Sequence, residues 1–473
     1  MKFTFSRFIL LVAIIAFFSS CLNSSDTTTV VSSNPYFSSL VFKSNDSVPY
    51  LSSAKFTLEF DGKLADSIIV NVDSLPYKTR VDSVYPTLSF KSSAATRLYL
   101  FPGNKFKRDS IWVTGTDTVD FRKDIKVKNY ASDGVKNRTY VVRTNVHKVD
   151  PEAYVWSKAG ADMSSVNAKY QKAITINDQL FYYQNDGSNS YLYTSTDGFS
   201  WGAKNVTGLP VNTPLNDMIQ FNGKFFLSRD GFNLYSSTNG ADWSKNALTA
   251  FSFKSLLFVL NNQLWAVVLD KDNTYHFAIS DDGATWNMTK ATIPNNFPVT
   301  DFAAVSFTQP TGKAKAVVLS GISANGTPLN NRWSTEDGTY WVDFSTENHS
   351  LDTLAVGASV ISYDNKLLAF GQRTDNGKAY YKISKDDGLS WANTDSARNV
   401  LPAALKLLPR TSASMVVFKP RTYNVSDGKD VIEASNRIFI IGGKSETSST
   451  VYSDVWTGKL NRKNFLLQST YVQ

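Results

Sequence analysis

The 473-residue chain has one cysteine, Cys21, and three histidines, His147, His276 and His349. No two histidines stand at metal-ligating spacing, and one thiol closes no disulfide. Zinc and thiol chemistry are therefore disfavoured, and no metal site is expected. Glycine-rich phosphate cradles are missing too. There is no GxGxxG after a strand, no G-x-x-x-x-G-K-[ST] loop and no G-x-S-x-G elbow, so neither a cofactor nor α/β-hydrolase chemistry is expected. The formal charge of +8 comes without any run of five Lys or Arg residues. Scattered bases of this kind read as a solvated surface, and nucleic acid is not an expected partner.

What the chain does have begins at its N-terminus. Lys2 and Arg7 precede an unbroken apolar run from Phe8 to Phe18, too short to span a bilayer as a mature helix. Residues 1–20 read as a secretory signal. The run ends in Ser19, Ser20 and Cys21, which resembles the lipobox of bacterial lipoproteins, with Phe18 in place of the usual aliphatic residue. That resemblance implies an acylated Cys21 and attachment to the bacterial outer membrane, at the cell surface or its periplasmic face. Acyl chains supply roughly 0.8 kcal/mol per buried CH₂, so a lipid anchor needs no membrane-spanning helix. Residues 21–34 are rich in Ser, Thr and Asn and read as a flexible tether.

From 35 to 150 the pattern is alternation. Phe56, Leu58 and Phe60 share one strand face, and Ile125 and Val127 point inward where Lys126 and Lys128 point outward. Short strands at this density fit an immunoglobulin-like β-sandwich, although the tryptophan and cysteine landmarks of antibody domains are missing.

After residue 150 the chain repeats itself. "STDGFSW" at 195–201 returns as "STNGADW" (237–243), "SDDGATW" (280–286), "TEDGTYW" (335–341) and "KDDGLSW" (385–391). The shared frame is Asp197, Gly198 and Trp201; Asn239, Gly240 and Trp243; Asp282, Gly283 and Trp286; Asp337, Gly338 and Trp341; Asp387, Gly388 and Trp391. Successive tryptophans are 42, 43, 55 and 50 residues apart. Upstream of most copies an Asn-Gly-type turn precedes an apolar strand, so each unit reads as four strands, the size of a propeller blade. A sixth, degenerate unit runs from about Leu407 through "RIFIIGG" (437–443) to "SDVWTGKL" (453–460) and resembles a kelch blade. "YVWSK" (154–158) is placed to supply the strand that closes the ring. The expectation for 151–473 is a six-bladed β-propeller in an all-β chain, with seven blades as the alternative.

A catalytic residue is needed once per site, whereas this turn recurs five times. Its acid or amide accepts from the following N–H groups, its glycine takes positive φ, and its tryptophan covers the corner. The frame resembles the Asp-box of sialidase-like propellers, of form S-x-D-x-G-x-T-W, and a structural role is expected for all five.

Lipobox, tether, sandwich and propeller together resemble a family of Bacteroidetes-type surface lipoproteins. The resemblance implies an envelope location and says little about chemistry. The expected function is non-catalytic binding of a glycan or an envelope protein partner, within a nutrient-capture or surface assembly, by aromatic platforms and by the loops 322–332 and 420–436. One alternative is a sialidase-like hydrolase, which needs three converging arginines, with Arg229, Arg332, Arg373 and Arg410 as the candidates, and a tyrosine–glutamate pair. The other is a structural envelope component. The clustered oxygens at 270–275 and 426–430 lack the full spacing of a calcium loop.

Overall fold

The computed structural model describes residues 31–45, 48–60, 67–99, 118–160, 162–164, 166–229, 233–247, 251–346, 354–424, 429–432 and 436–464. Residues 1–30, which include the segment read as a secretory signal, Cys21 and most of the segment read as a tether, lie outside the described residues. Two compact units divide the chain, Met1–Val149 and Asp150–Gln473.

The first unit contains β1 (Phe37–Phe42), β2 (Phe56–Phe60), β3 (Ser67–Asn71), β4 (Pro86–Phe90), β5 (Ala95–Tyr99), β6 (Ile125–Tyr130) and β7 (Asn137–Arg143). Strands β2-β3-β7-β6-β5 form one sheet and β1-β4 a second. Period-two alternation sends Ile125 and Val127 of β6 into the core and Lys126 to solvent. Phe42 and Leu88 from the small sheet meet Ile69, Val127 and Tyr140 from the large one in a single core. The Tyr140 hydroxyl accepts from the Phe37 N–H at 2.8 Å and donates to the Pro35 carbonyl, tying the two sheets together. One feature departs from a plain run of hairpins: β3 and β7 pair in parallel, which requires a crossover that residue alternation does not reveal.

The second unit is a β-propeller. Among the described residues it has six four-stranded antiparallel sheets. Blades 1 to 5 span 170–205, 219–247, 252–292, 303–343 and 359–393. Blade 6 combines Ser414–Phe418, Arg437–Ile441 and Val455–Leu460 with β8 (Tyr154–Lys158), its outermost strand. Innermost strands touch their neighbours in an unbroken cycle, blade 6 meeting blade 1. The ring is sealed by β8, paired with Val455–Leu460 from the far end of the unit. A closed ring of this kind needs no propagating edge, because its first and last segments satisfy each other's backbone.

Apolar residues on both faces of each second strand explain the packing. Strand Gln179–Asn185 is buried at every position after its first, as is Lys366–Gln372, since each blade is covered on both sides by its neighbours. Aromatics fill the seams. Phe181 lies 4.8 Å from Phe225, Phe253 lies 4.9 Å from Trp286, and Trp341 stacks on Phe277 at 5.3 Å. Among the described residues no helix is long and apolar enough to cross a membrane.

Candidate functional site: the corners and the funnel

Each repeated turn joins the third and fourth strands of its blade. In blade 3 the Ser280 hydroxyl accepts from the Gly283 N–H at 2.8 Å and donates to Asp282, whose Oδ1 accepts from the Ala284 and Thr285 N–H groups at 2.7 Å. Ser195 with Asp197, Ser237 with Asn239, and Thr335 with Asp337 repeat the pattern. Asn239 serves as well as an acid because only an acceptor oxygen is required.

The glycines do a second job. Gly283 and Gly338 have φ of +76° and +78°, and a Cβ there would lie 2.2 Å from Phe226 and Trp265 respectively. Gly240 presses likewise on Phe181, Gly388 on Val317, and Gly198 on Phe439. In every case the neighbour belongs to the second strand of the preceding blade, and for Gly198 that blade is the sixth. The corners therefore clip each blade to the one before it, across the closure of the ring.

Two details correct the reading from sequence. In blade 5 the capping acid is Asp386, not Asp387. Asp386 Oδ1 accepts from the Ser384 hydroxyl at 2.8 Å and the Ser390 N–H at 2.9 Å. Asp387 is an added residue at φ +58° whose carboxylate accepts from Gln309. The turn is anchored on the hydroxyl two residues before the acid, so spacing from Ser384, rather than adjacency to Gly388, identifies the cap. Trp201 is the other exception. Trp243, Trp286, Trp341 and Trp391 each donate Nε1–H to their own corner glycine's carbonyl at 2.9–3.2 Å, whereas the buried Trp201 Nε1 has no partner.

Backbone N–H groups from Thr285 and Ala284 pull the Asp282 carboxyl down to about 2. A carboxyl depressed on folding contributes stability above its unfolded value near 4, and that contribution is lost as pH falls from there through about 2. Asp282→Asn is expected to remove this acid sensitivity at little cost, and Asp282→Ala to lower stability by about 1 kcal/mol, measured by denaturant titration at pH 7 and pH 3.

Strand alternation puts the second-to-third-strand loops and the blade connectors on the face opposite the corners. There a funnel of about 980 Å³ opens, lined by Lys169, Tyr170, Asn216, Asp301, Asn330, Gln372, Arg373, Asp375, Asn376, Lys444, Glu446 and neighbouring backbone. Its lining mixes these polar groups with the apolar Leu329, Leu354 and Val356 and holds one aromatic ring, Tyr170, so aromatic platforms are not what it offers. Pro328, Leu329 and Asn330 bring the 322–332 loop to its wall. Of the 420–436 insertion, residues 425–428 and 433–435 lie outside the described residues; its start, in a first-to-second-strand connection, lies on the corner face, where the Arg421 N–H donates to Thr196 O and its guanidinium pairs with Asp178.

The candidate arginines do not converge. Arg332, 2% exposed, donates to the carbonyls of Leu389 and Phe344 in the seam between blades 4 and 5. Arg410 is fully buried, bonded to Gly442 O and Asp454 and stacked 3.9 Å from the Tyr452 ring. Arg373 lines the funnel, held by Asp375 at 2.8 Å, and Arg229 ends the second strand of blade 2. At 270–275, Asp270 accepts from Asp272 N, Thr274 N and His276; most of the other oxygen cluster, at 426–430, lies outside the described residues.

Below the funnel lies a group that motif reading missed. Lys172 Nζ donates to Asn216 O at 2.8 Å, and the Asn216 amide reaches across to Asp301. Asp217 Oδ2 accepts from Leu256 N at 3.0 Å and from the Ser228 hydroxyl. Burial raises the Asp217 carboxyl to about 6 against the pull of these donors and of Lys172, and burial pushes the Lys172 ammonium down. A usable signal was present: Lys172 and Asp217 each stand five residues before the Asn of a tight turn, Asn177 and Asn222.

Comparison with known proteins gives an architecture and a family. YjhT is similar with a TM-score of 0.42 at 12% identity, covering 63% of this chain and 96% of its own. The Penicillium chrysogenum α-L-arabinanase in complex with arabinobiose has a TM-score of 0.39 at 12% identity, over 65% and 98%. The Trypanosoma rangeli sialidase in complex with the inhibitor DANA has 0.37 at 12%, over 65% and 60%. No curated protein sequence matches significantly. The DUF6242 β-propeller domain matches residues 150–468 and the DUF6242 N-terminal domain residues 23–144, so the chain belongs to the DUF6242 family.

Proposed function

We propose that this protein is an exported lipoprotein, anchored through Cys21 to the outer membrane, that binds a glycan through the funnel of its propeller without chemically altering it. The N-terminal unit serves as an immunoglobulin-like spacer between membrane and propeller. The observation that carries the reading is the funnel itself: a wide opening whose wall combines amide, carboxylate and ammonium groups with apolar side chains such as Leu329 and Val356, a mixture that suits the hydroxyls and the C–H faces of a sugar. Support against a sialidase-type reaction comes from where Arg332 and Arg410 are committed, each to main-chain carbonyls between strands.

Probing a glycan array with the full chain tests this. A defined set of bound glycans is the expected result, and an array without hits would refute the glycan reading in favour of a protein partner. Cys21→Ser is expected to leave binding intact and to move the protein from the membrane fraction to the soluble one.

A further inference from the structure

The axis of the ring carries an asymmetry that its construction does not require. In the second strands, Phe181, Phe226, Trp265, Val317 and Phe439 fill the space beneath the corner glycines. The residue two positions further on faces an innermost-strand partner at one common level of the channel. Register assigns Lys172, Ser255, Ala303 and Ser414 to that level in blades 1, 3, 4 and 6, and Ser359 in blade 5. In blade 2, Asp217 stands two residues before Ile219, whose partner is Phe226, and so faces Ser228.

Small residues suffice to seal this level. Ser414 Oγ accepts from Ala173 N at 2.8 Å, and Ser359 Oγ accepts from Met415 N at 2.9 Å, each bonding the next blade. Asp217 performs the same task with Oδ2 on Leu256 N. A serine would do it without placing a carboxylate at the axis. Lys172 beside it reaches the connector to blade 2 at Asn216 O, a bond that needs a donor but not a charge. Blade 1 thus presents an amine to the axis, with Asp217 near it but outside the wall, and the wall opposite is Gly357, Ala358, Ser359 and Ala413.

Between these walls, continuous with the funnel floor at Asn216 and Asp301, lies a recess of about 70 Å³. That volume holds a group of a few heavy atoms and excludes a chain passing through. An anionic tip would meet Asp301, and a cationic one Lys172. A hydroxyl accepts from the ammonium while donating to a carboxylate. Resting on the glycan reading above, we infer that Lys172, Asn216 and Asp301 form a seat for the uncharged, hydroxyl-bearing terminus of a saccharide, so that the protein recognises the chain ends of neutral glycans.

The groups facing Asp217 are Lys172 from blade 1, Ser228 and the neighbouring Asn216 from blade 2, and the Leu256 N–H from blade 3, with Asp301 across the throat. Asp217 lies outside the lining of the recess and acts through Lys172, whose ammonium its carboxylate favours.

The test uses the full chain on an array of neutral, uronate-bearing and sulfated glycans, followed by titration of the hits. Lys172→Ser installs the residue that blades 5 and 6 already carry at this level and Asp301→Asn keeps the volume of the side chain, so thermal melting should show both variants folded. Neutral hits are expected, weakened at least tenfold by either substitution. Neutral hits unchanged in both variants would overturn the seat while leaving glycan binding intact. Hits confined to acidic glycans would overturn the neutral class. A wild-type array without hits would instead bring down the glycan reading on which the seat depends.

Discussion

Gly283→Ala is expected to lower the stability of the propeller by on the order of 3 kcal/mol in denaturant titration of the full chain, against about 1 kcal/mol for Gly223→Ala. Both glycines have positive φ, +76° and +74°, so the backbone penalty is shared. What differs is the surroundings. A Cβ on Gly283 would lie 2.2 Å from Phe226 of the preceding blade, whereas nothing stands within 4 Å of one on Gly223. The excess therefore isolates the contact between blades. Phe226 is 2% exposed and packed on Phe221 and Leu234, leaving it little room to retreat. Equal effects for the two substitutions would mean that the corner glycine answers only to its own turn.

The second large effect concerns Arg410. Arg410→Ala should cost about 3–5 kcal/mol. The substitution strands the Asp454 carboxylate, 9% exposed, removes the donor to Gly442 O, and leaves Tyr452 without the guanidinium lying 3.9 Å from its ring. Arg410→Lys should recover little, because an ammonium lacks the planar fork that reaches a carbonyl and a carboxylate together. Stability is the informative readout. A variant as stable as the parent but unable to bind ligand would place Arg410 in a substrate clamp of the sialidase kind.

Legibility from sequence tracked how local each feature is. The five corners were readable because acceptor, glycine and tryptophan sit within seven residues, and each does its hydrogen bonding inside its own turn. The role of "YVWSK" was readable as an apolar strand with no partner nearby, and β8 pairs with Val455–Leu460. Asp386 escaped because the frame was aligned on Gly388; the Ser384 hydroxyl sets the spacing, and the extra Asp387 loops out at positive φ. The insertion at 420–436 was assigned to a binding surface by its length, yet strand order alone sends a first-to-second-strand loop to the corner face, where Arg421 meets Asp178. Aromatic residues looked available for ligand and instead fill the seams, as Trp341 does between Phe277 and Phe297. Lys172 and Asp217 carry no motif, since residues 45 positions apart, one on the first strand of blade 1 and one just before that of blade 2, meet only once neighbouring blades pack. Alignment on the tight turns would have put them at one level with Ser359 and Ser414.

Native-state hydrogen exchange at five amides tests the central claim, that the corners fasten one closed ring. The N–H groups of Gly198, Gly240, Gly283, Gly338 and Gly388 each donate to a serine or threonine hydroxyl in their own corner. If the corners hold the ring together, these five amides exchange only with the innermost strands, in one cooperative opening whose free energy matches that of global unfolding. Exchange of the corner amides at separate, lower free energies while the inner strands stay protected would contradict it.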